Sequence, residues 1–506
     1  MLMHRALMDG AERTPDKPAW HWVDRDIALT YEQAVTAMER MAGALFALGV
    51  RPGDRVTIFA HNGMDYLLAM FGAWRMGAIA ALVNVQFARE LDYYLSDHTP
   101  AAVIYTHDLV DAVQRAARSA GTVRHLICMD GPQEGALSLP ELMRAQFPAP
   151  ADPGDENAIA HLAYTSGTTG KPKGACLAHE PTMRAAKCIA ERLRIRSDDD
   201  SFGPTALSSS YQLVANLLPP LSRGASVHVM GKWTQATGWV ALDEAGASIL
   251  VANPTLLAQV LTESRLRGRA PGRLRLGLSG GGPVPPTLKR SWRDELHLPL
   301  VESFGQSELG GFMALGFPEL VCDEALGRVG PALPDKEVRI VDTGRTPVAP
   351  GQIGEIELRG GFMVGYWDRP EQTADVTGTG WLRTGDLGLI DRDGFITMRG
   401  RRSELIETAG VLWFPRDVEE AFCQIEGVAQ AALIGVPDST FGQLPHAFIT
   451  LEPGYSATPE LLKRAVQGKV AYDLTPLRIS VVAELPMTPT GKIAKGELAA
   501  RLSAAA

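Results

Sequence analysis

Cysteine is scarce in this chain, with five residues among 506. No two of them form a Cys-x-x-Cys pair, and their number is odd. Disulfide frameworks and structural zinc sites both depend on cysteines at characteristic spacings. The sequence therefore predicts a protein of a reducing compartment, and we expect it in the cytoplasm.

Positive charge is in the minority as well. The chain carries 49 Lys+Arg against 58 Asp+Glu, a formal net charge of −9, and it has no long basic block. Nucleic acids and anionic membrane surfaces select proteins with a concentrated positive field. Neither is expected as a partner, whereas a local basic pocket for a phosphorylated small molecule stays open.

A long uninterrupted apolar run is also missing. The most hydrophobic stretch, residues 67–83, contains Arg75 and two glycines, and a membrane-spanning helix needs about 20 apolar residues. Its pattern instead predicts a buried helix followed by a buried strand. Charged residues interrupt the only apolar stretch near the start of the chain, so no signal peptide is expected.

Strand-length apolar runs alternate with helical stretches over the first few hundred residues. The apolar runs lie at residues 55–60, 78–83, 102–105 and 248–252, and residues 31–48 carry apolar side chains at helical spacing. This alternation predicts an α/β fold in which parallel or mixed sheets are sandwiched by helices.

Beyond about residue 336 short strands and tight turns replace this alternation. Residues 400–404 are polar and charged, and a compact α+β pattern follows them. We place a domain boundary here, between an N-terminal domain of residues 1–400 and a C-terminal domain of residues 401–506. A unit of about 100 residues is a normal size for an independent domain.

The strongest chemical signal is a glycine-rich loop that follows an apolar strand pattern. It reads Tyr164-Thr165-Ser166-Gly167-Thr168-Thr169-Gly170-Lys171-Pro172-Lys173-Gly174. Glycines let the backbone approach a ligand, and hydroxyls, successive N–H groups and two lysines can surround an anion. The spacing differs from a Walker A loop. We predict a polyphosphate-binding loop, with a flexible surface turn as the alternative.

A second cluster follows a short apolar strand pattern and reads Glu302-Ser303-Phe304-Gly305-Gln306-Ser307-Glu308. Phe304 can stack on a purine, Ser307 can donate to a phosphate oxygen, and Glu308 is a hard oxygen ligand suited to Mg²⁺. Taken alone the cluster is a weak signal, because an aromatic residue is more often part of the core and a glutamate more often solvated.

Three further elements are weak on their own. The run Gly280–Gly282 follows a strand pattern and can let a flat ligand lie against the backbone. Asp386, after a Thr-Gly pair, can accept hydrogen bonds from ribose hydroxyls. Lys492 lies on a glycine-containing loop near the end of the chain. Taken singly, the glycine run is explained equally well by a plain turn, Asp386 is explained slightly better by an Asx turn, and Lys492 is explained much better as a solvated lysine.

Together, the order and spacing of these elements resemble the adenylate-forming superfamily, which includes acyl-CoA synthetases, adenylation domains of peptide synthetases and beetle luciferases. The resemblance extends from about Leu29 to Leu498. Its most specific parts are the glycine-rich loop, the Thr-Gly-Asp element and a Pro-x-Thr-x-x-Gly-Lys element that ends at Lys492. It implies a large AMP-binding domain that includes a distorted barrel, and a small mobile C-terminal lid with a hinge near residues 400–404.

Such enzymes activate a carboxylic acid with Mg-ATP and then transfer the acyl group to a thiol. The carboxylate attacks the α-phosphate and pyrophosphate leaves, so positive charge and hydrogen-bond donors are needed around several anions. The resemblance implies catalytic roles for Lys492, Ser307 and Glu308, the last also as the Mg²⁺ ligand. The nucleotide-binding residues that it implies are Thr165, Ser166, Gly167, Thr168, Thr169, Gly170, Lys171, Lys173, Gly280, Gly281, Gly282, Glu302, Ser303, Phe304, Gly305, Asp386 and Arg401.

The small domain is expected to take a second arrangement for the thiol step. In this superfamily it rotates about a hinge, here at Ser403, which withdraws Lys492 and brings the Ala409-Gly410 loop forward to shape the tunnel for CoA. Ser403 stands where Asp or Lys is usual, and Ala409-Gly410 stands where Gly-Gly is usual. We expect both departures to affect the transfer of the acyl group to the thiol.

The acyl pocket is expected, from position alone, at Ser209, Tyr211, Gln212, Gln306 and Gly311. A His or a large aromatic residue often gates this pocket, and its place falls at about Ser209. The smaller side chain predicts an acid of different shape or polarity near its carboxylate. Because no cation is present to pair with a second carboxylate, a monocarboxylic acid is expected. Aromatic, branched and aliphatic acids stay open.

We expect an ATP-dependent acyl-CoA ligase of small or medium acids that uses ATP, Mg²⁺ and CoA. The alternative is a stand-alone adenylating enzyme that loads a separate carrier protein. No carrier domain is recognisable after Lys492, which favours CoA. A catalytically silent relative would need neither Lys492 nor Glu308. A homodimer is a common state of such enzymes and is kept as an expectation.

Overall fold

The computed structural model describes residues 1–165, 171–320, 322–452, 454–488 and 493–505. Its helices, in chain order, are α1 (Arg5–Arg13), α2 (Tyr31–Ala47), α3 (Met64–Arg75), α4 (Leu91–His98), α5 (Val110–Ala120), α6 (Leu139–Arg144), α7 (His179–Arg192), α8 (Leu218–Ser222), α9 (Gln235–Glu244), α10 (Pro254–Arg267), α11 (Pro286–Glu295), α12 (Pro370–Thr377), α13 (Pro415–Cys423), α14 (Pro459–Val466) and α15 (Lys495–Ala505). A π-helical stretch, Gln212–Leu217, runs directly into α8. Among the described residues, no helix combines the length and the apolar character that crossing a bilayer requires.

The strands form four sheets. In chain order they are β1 (Pro18–Trp22), β2 (Ile27–Thr30), β3 (Arg55–Phe59), β4 (Ile79–Leu82), β5 (Ala102–Tyr105), β6 (His125–Cys128), β7 (Leu137–Ser138), β8 (Ile159–Thr165), β9 (Lys173–Ala178), β10 (Asp200–Gly203), β11 (Ser226–Val229), β12 (Ile249–Ala252), β13 (Leu276–Ser279), β14 (Leu300–Gln306), β15 (Gly311–Leu315), β16 (Gly330–Pro331), β17 (Glu337–Val341), β18 (Gly354–Arg359), β19 (Gly365–Tyr366), β20 (Leu382–Ile390), β21 (Phe395–Arg401), β22 (Ile406–Thr408), β23 (Val411–Trp413), β24 (Val428–Asp438), β25 (Gly442–Leu451) and β26 (Arg478–Val481).

The first eight-stranded sheet has the order β19-β9-β8-β4-β3-β5-β6-β7. Strands β3, β4 and β5 are parallel and fully or almost fully buried, as their continuous apolar runs predict. Strands β8 and β9 are antiparallel neighbours, with Thr165 opposite Lys173. The predicted phosphate loop is therefore the connection between two paired strands.

The second eight-stranded sheet has the order β15-β14-β13-β12-β10-β11-β1-β2. Helices α1, α2, α3, α7 and α8 lie between the two large sheets and share one apolar core with both. Helix α2 begins where predicted, because Thr30 and Gln33 form a reciprocal capping box at its start. Helices α4 and α5 cover the outer face of the first sheet, and α9, α10 and α11 cover that of the second.

The predicted distorted barrel is a five-stranded antiparallel sheet of order β16-β21-β20-β18-β17. Its hairpin between β20 and β21 turns at residues 391–394, where the Asp-Arg-Asp-Gly sequence predicts a turn. The pairing places Asp386 directly opposite Arg401. This sheet therefore brings two predicted nucleotide ligands to the same place.

The small C-terminal part has its own sheet, formed by β22 to β26. Helices α13 and α14 pack on one face and α15 on the other. A short 3₁₀ turn, Arg402–Glu404, connects it to β21, which continues one residue past Gly400. The predicted α/β fold with a large N-terminal and a small C-terminal part is confirmed, whereas the boundary at 400/401 stays a prediction.

Candidate active site

The carboxyl ends of β13 and β14 bring two predicted regions together. Ser303 Oγ donates to Ser279 O at 2.9 Å. A Cβ atom added at Gly280 would lie 2.5 Å from the Tyr211 ring and 2.6 Å from Ser303 Oγ, so only glycine fits there. The glycine run therefore lies directly between a predicted nucleotide residue and a predicted acyl-pocket residue.

Strand β14 runs further than its apolar start predicts, through Gln306. Successive side chains of a strand point to opposite faces. Phe304 packs against the core of the five-stranded sheet, and Ser303 faces the glycine run. Residues 302–306 are thus strand rather than loop, and their side chains are divided between different surroundings.

Asp386 lies between two partners. Arg401 Nε is 3.3 Å from Asp386 Oδ1, and the amide of Gln306 donates to Asp386 Oδ2. The Gln306 amide also donates to Thr384 O at 2.9 Å. Asp386 is only 4% exposed. The structure therefore places Gln306, predicted for the acyl pocket, against the predicted ribose ligand.

Glu308 is joined to the end of the phosphate loop through Tyr366. The Tyr366 hydroxyl donates to Glu308 Oε1 at 3.0 Å, and Lys173 Nζ lies 4.2 Å from the centroid of the Tyr366 ring. Burial, with the nearby Glu308 charge, raises the pKa of Tyr366, so its hydroxyl stays a donor. The sequence motifs described above include no role for Tyr366.

Ser307 and Glu308 form a short 3₁₀ turn after β14. Ser210 Oγ donates to Ser307 Oγ at 3.4 Å, so the predicted α-phosphate ligand touches the segment that begins the acyl pocket. Ser210 was not singled out from the sequence, because a lone serine gives no signal of its own.

The phosphate loop is described only at its two ends. Ser166, Gly167, Thr168, Thr169 and Gly170 lie outside the described residues. Thr165 Oγ1 and Lys173 O are 3.5 Å apart where β8 and β9 meet, and Lys171 Nζ lies 5.0 Å from the centroid of the Tyr93 ring. Both lysines therefore rest on tyrosine faces at the rim of the loop.

The four other predicted acyl-pocket residues do not share one environment. Tyr211 directs its hydroxyl to Leu278 O at 3.0 Å, and its ring centroid lies 5.7 Å from that of Phe312. Ser209 Oγ accepts from Tyr211 N at 3.2 Å, which fixes the start of the helical segment. Gly311 packs against Val214. Of these three residues, Tyr211 is the one that the structure places against the glycine run, at Gly280.

Gln212 points elsewhere. It is fully buried, and its amide donates to Thr205 Oγ1 near the end of β10. Its Oε1 has no hydrogen-bond partner among the described residues. A buried amide oxygen without a partner is costly, so a polar ligand atom or a water is expected beside it.

Glu302 takes part in a contact between the two parts of the chain. Its carboxylate lies 2.5 Å from Lys289 Nζ on α11 and 3.8 Å from the Arg416 guanidinium on α13. Burial lowers the pKa of Arg416, but Glu420 and Glu302 outweigh it and leave the pKa raised. The side chain of Glu302, predicted to bind nucleotide, is thus engaged by two cations.

The predicted tunnel residues form the tip of a hairpin. Ala409 (φ +51°) and Gly410 (φ +80°) are the two turn residues between β22 and β23. Val411 and Leu412 beside them are 52% and 49% exposed. Ser403 lies in the 3₁₀ turn between the two parts, and Lys492 lies outside the described residues.

The chain matches two family models. The model described as AMP-binding enzyme matches residues 7–367, and the one described as AMP-binding enzyme C-terminal domain matches residues 417–492. A feruloyl-CoA synthase of Amycolatopsis sp is 30% identical over 479 residues, 94% of this chain and 94% of that protein. A long-chain-fatty-acid–CoA ligase of Mycobacterium tuberculosis (strain H37Rv) is 29% identical over 517 residues, 100% of this chain and 98% of that one.

Solved structures are similar over the same length. The crystal structure of an anthranilate CoA ligase in complex with anthranoyl-AMP has a TM-score of 0.92 and 25% sequence identity. The match covers 100% of this chain and 98% of that one. The similarity therefore includes both the large and the small part of the molecule.

Proposed function

The chain belongs to the AMP-binding enzyme family and is an AMP-forming acid–CoA ligase, and on that premise we propose that it activates a small or medium monocarboxylic acid. ATP and the acid form an acyl-adenylate with release of pyrophosphate. The thiol of CoA then takes the acyl group and AMP leaves.

One observation carries the proposal: the predicted phosphate, magnesium and ribose ligands meet around the end of β14. Tyr366 joins Glu308 to the rim of the phosphate loop at Lys173. On the other side, Gln306 and Arg401 hold Asp386. A nucleotide lying across this strand end would meet cations at its charged phosphates and a hydrogen-bond-accepting carboxylate at its ribose hydroxyls.

Glu308 suits Mg²⁺, because a carboxylate oxygen is the hard ligand that this ion prefers. Tyr366 holds the carboxylate in place by one hydrogen bond to Oε1. When bound, the ion would neutralise phosphate charge on ATP. Lys171 and Lys173 add fixed positive charge at the rim of the loop, and Ser307 adds a hydroxyl donor beside them.

The class of acid is proposed from the five predicted acyl-pocket residues. Among Ser209, Tyr211, Gln212, Gln306 and Gly311 there is no cation, so a second carboxylate would be left without a partner and is disfavoured. Tyr211 is fixed through its hydroxyl to Leu278 O and presents an aromatic wall. The relatives named above include an aromatic-acid and a long-chain enzyme, so they leave this choice open.

The test is release of AMP and pyrophosphate across a panel of carboxylic acids, each with and without CoA. We expect acid-dependent release that becomes multi-turnover only with CoA, and a preference for acids with a single carboxylate. Lys492→Ala should abolish the acid-dependent release. Lys469→Ala removes an exposed lysine of the same C-terminal part and should leave it unchanged.

Two results would overturn the proposal. Acid-dependent pyrophosphate release that CoA does not accelerate would favour loading of a separate carrier protein instead. A clear preference for dicarboxylic acids would contradict the reading of the pocket, although the nucleotide site would stand.

A further inference from the structure

Helix α4 contacts both ends of the phosphate loop. Its side chains at Tyr93 and Asp97 are four residues apart, so they lie on the same face of the helix. We propose that this face, together with Arg369, is a clamp that positions the phosphate loop, and that Tyr93 and Asp97 are positioning residues for ATP. The inference rests on the proposed function, because it assumes that the loop holds the phosphates of ATP.

The first end of the loop is held through Tyr164, which directly precedes Thr165. The Tyr164 hydroxyl donates to Asp97 Oδ2 at 2.8 Å. A carboxylate can only accept, so the single hydroxyl hydrogen of Tyr164 is committed to Asp97.

His98 contacts the oxygen atom of the same Tyr164 hydroxyl group. His98 Nδ1 is 2.9 Å from the Tyr164 oxygen, and Nε2 is 2.6 Å from Thr57 Oγ1. Burial, with the nearby Arg55 guanidinium, lowers the pKa of His98 to about 3, so the ring is neutral. Nδ1–H must then donate to Tyr164, and Nε2 must accept from Thr57. The hydrogen bonds run in one direction, from Thr57 through His98 and Tyr164 to Asp97.

The second end of the loop is held through Pro172. The Tyr93 hydroxyl donates to Pro172 O at 2.5 Å. Lys171, the residue before it, rests over the Tyr93 ring. One side chain of α4 therefore binds the backbone at the exit of the loop and supports Lys171.

Arg369 connects the clamp to the rest of the site. Its guanidinium lies 2.5 Å from Asp97 Oδ1, and the Asp97 side chain is only 4% exposed. Trp367, two residues earlier, donates its backbone N–H to Gly174 O at 2.7 Å. The segment that carries Tyr366, the partner of Glu308, is thus tied to the same carboxylate as the loop.

This arrangement has a functional meaning beyond stability. A backbone segment that binds phosphates loses conformational freedom on binding. Anchoring both ends beforehand reduces that loss, which strengthens binding of the β- and γ-phosphates. AMP lacks those phosphates and should not depend on the clamp. The ratio of ATP to AMP affinity therefore separates loop positioning from a general effect on folding.

The experiment measures ATP and AMP binding by calorimetry in the full chain and its variants. Tyr93→Phe removes the hydrogen bond to Pro172 O and the contact of the hydroxyl with Arg369, and it should weaken ATP binding about twofold to tenfold. Asp97→Asn removes a charged partner of Tyr164 and Arg369 and should weaken it about tenfold or more. AMP binding should change less than twofold in both, on the order of measurement error.

Tyr31→Phe is the matched control. The Tyr31 hydroxyl donates to Ala225 O at 2.7 Å in the core between the large sheets. Its loss removes a bond of the same kind as Tyr93 to Pro172, far from the loop. Thermal stability should fall by a similar amount, while the ratio of ATP to AMP affinity should stay at the wild-type value.

The outcomes separate this inference from the proposed function. If the wild-type protein binds neither ATP nor AMP, the proposed function is wrong. If it binds both, and if Tyr93→Phe and Asp97→Asn weaken ATP and AMP equally, the clamp is merely structural and the inference is wrong. Should Asp97→Asn not fold, Tyr93→Phe decides alone, because phenylalanine keeps the ring that supports Lys171.

Discussion

At the scale of single residues, the proposed nucleotide site is built from side chains that come from distant parts of the chain. Asp386 touches Gln306 and Arg401, one from β14 and one from the strand opposite. Because Asp386 is almost buried, its charge needs both partners. The carboxylate is therefore held in one orientation before any ligand arrives.

Asp386→Ala is expected to weaken the binding of ATP. It removes the proposed ribose acceptor and the ion-pair partner of Arg401, so the KM for ATP should rise about tenfold or more. Steady-state kinetics over a range of ATP concentrations measures this. Glu337→Ala, which breaks an exposed ion pair with Arg359 in the same sheet, should leave the KM unchanged. An unaltered KM in Asp386→Ala would remove Asp386 from the nucleotide site.

The order of the motifs was readable from the sequence, but the direction of their side chains was not. Residues 302–306 continue β14, so neighbours along the chain face different partners. Glu302 meets Lys289 and Gln306 meets Asp386. These partners lie in other elements, and no local pattern in a single sequence records such pairings.

At the scale of elements, the secondary structure followed local rules closely. The apolar runs at residues 55–60, 78–83 and 102–105 became parallel strands, because buried strands need continuous apolar sequence. Helix α4 carried no chemical motif, so its contacts with the loop could not be predicted. The spacing of Tyr93 and Asp97 was the only signal, and it is common in helices.

The β22–β23 hairpin stores backbone strain at its tip. Ala409 adopts φ +51°, a region that glycine enters more easily than alanine. Ala409→Gly should therefore stabilise the protein by about 1 kcal/mol in urea unfolding. Adenylation without CoA should not change. Gly410→Ala, at φ +80°, is the matched opposite and should destabilise by about as much. A loss of stability in Ala409→Gly would show that the strain is absent.

At the scale of the whole molecule, several histidines are folded into the interior as neutral rings. Burial lowers the pKa of His98 to about 3 and that of His161 to about 4. Burial, with His4 nearby, lowers the pKa of His179 to about 3. In the unfolded chain each has a pKa of about 6.5, so the unfolded state binds more protons between these values.

Stability should therefore fall as pH drops from about 6.5 towards 4. Within this window, each such histidine lowers the free energy of unfolding by about 1.4 kcal/mol per pH unit. Thermal melts from pH 8 to pH 5 measure the decline. His161→Leu should make the decline of the melting temperature with falling pH less steep, whereas His61→Gln, at an exposed histidine, should leave its slope unchanged. A melting temperature that is constant down to pH 5 would contradict the prediction.

The apolar core that the two large sheets share also connects two parts of the proposed site. The predicted phosphate loop connects β8 and β9 of one sheet, while the glycine run follows β13 of the other, next to β14. A rigid layer of helices fixes the distance between them. The layer of helices therefore keeps the predicted phosphate loop of the first sheet in register with the glycine run and the end of β14 on the second sheet, so that both halves of the proposed site are in place before ATP and the acid bind.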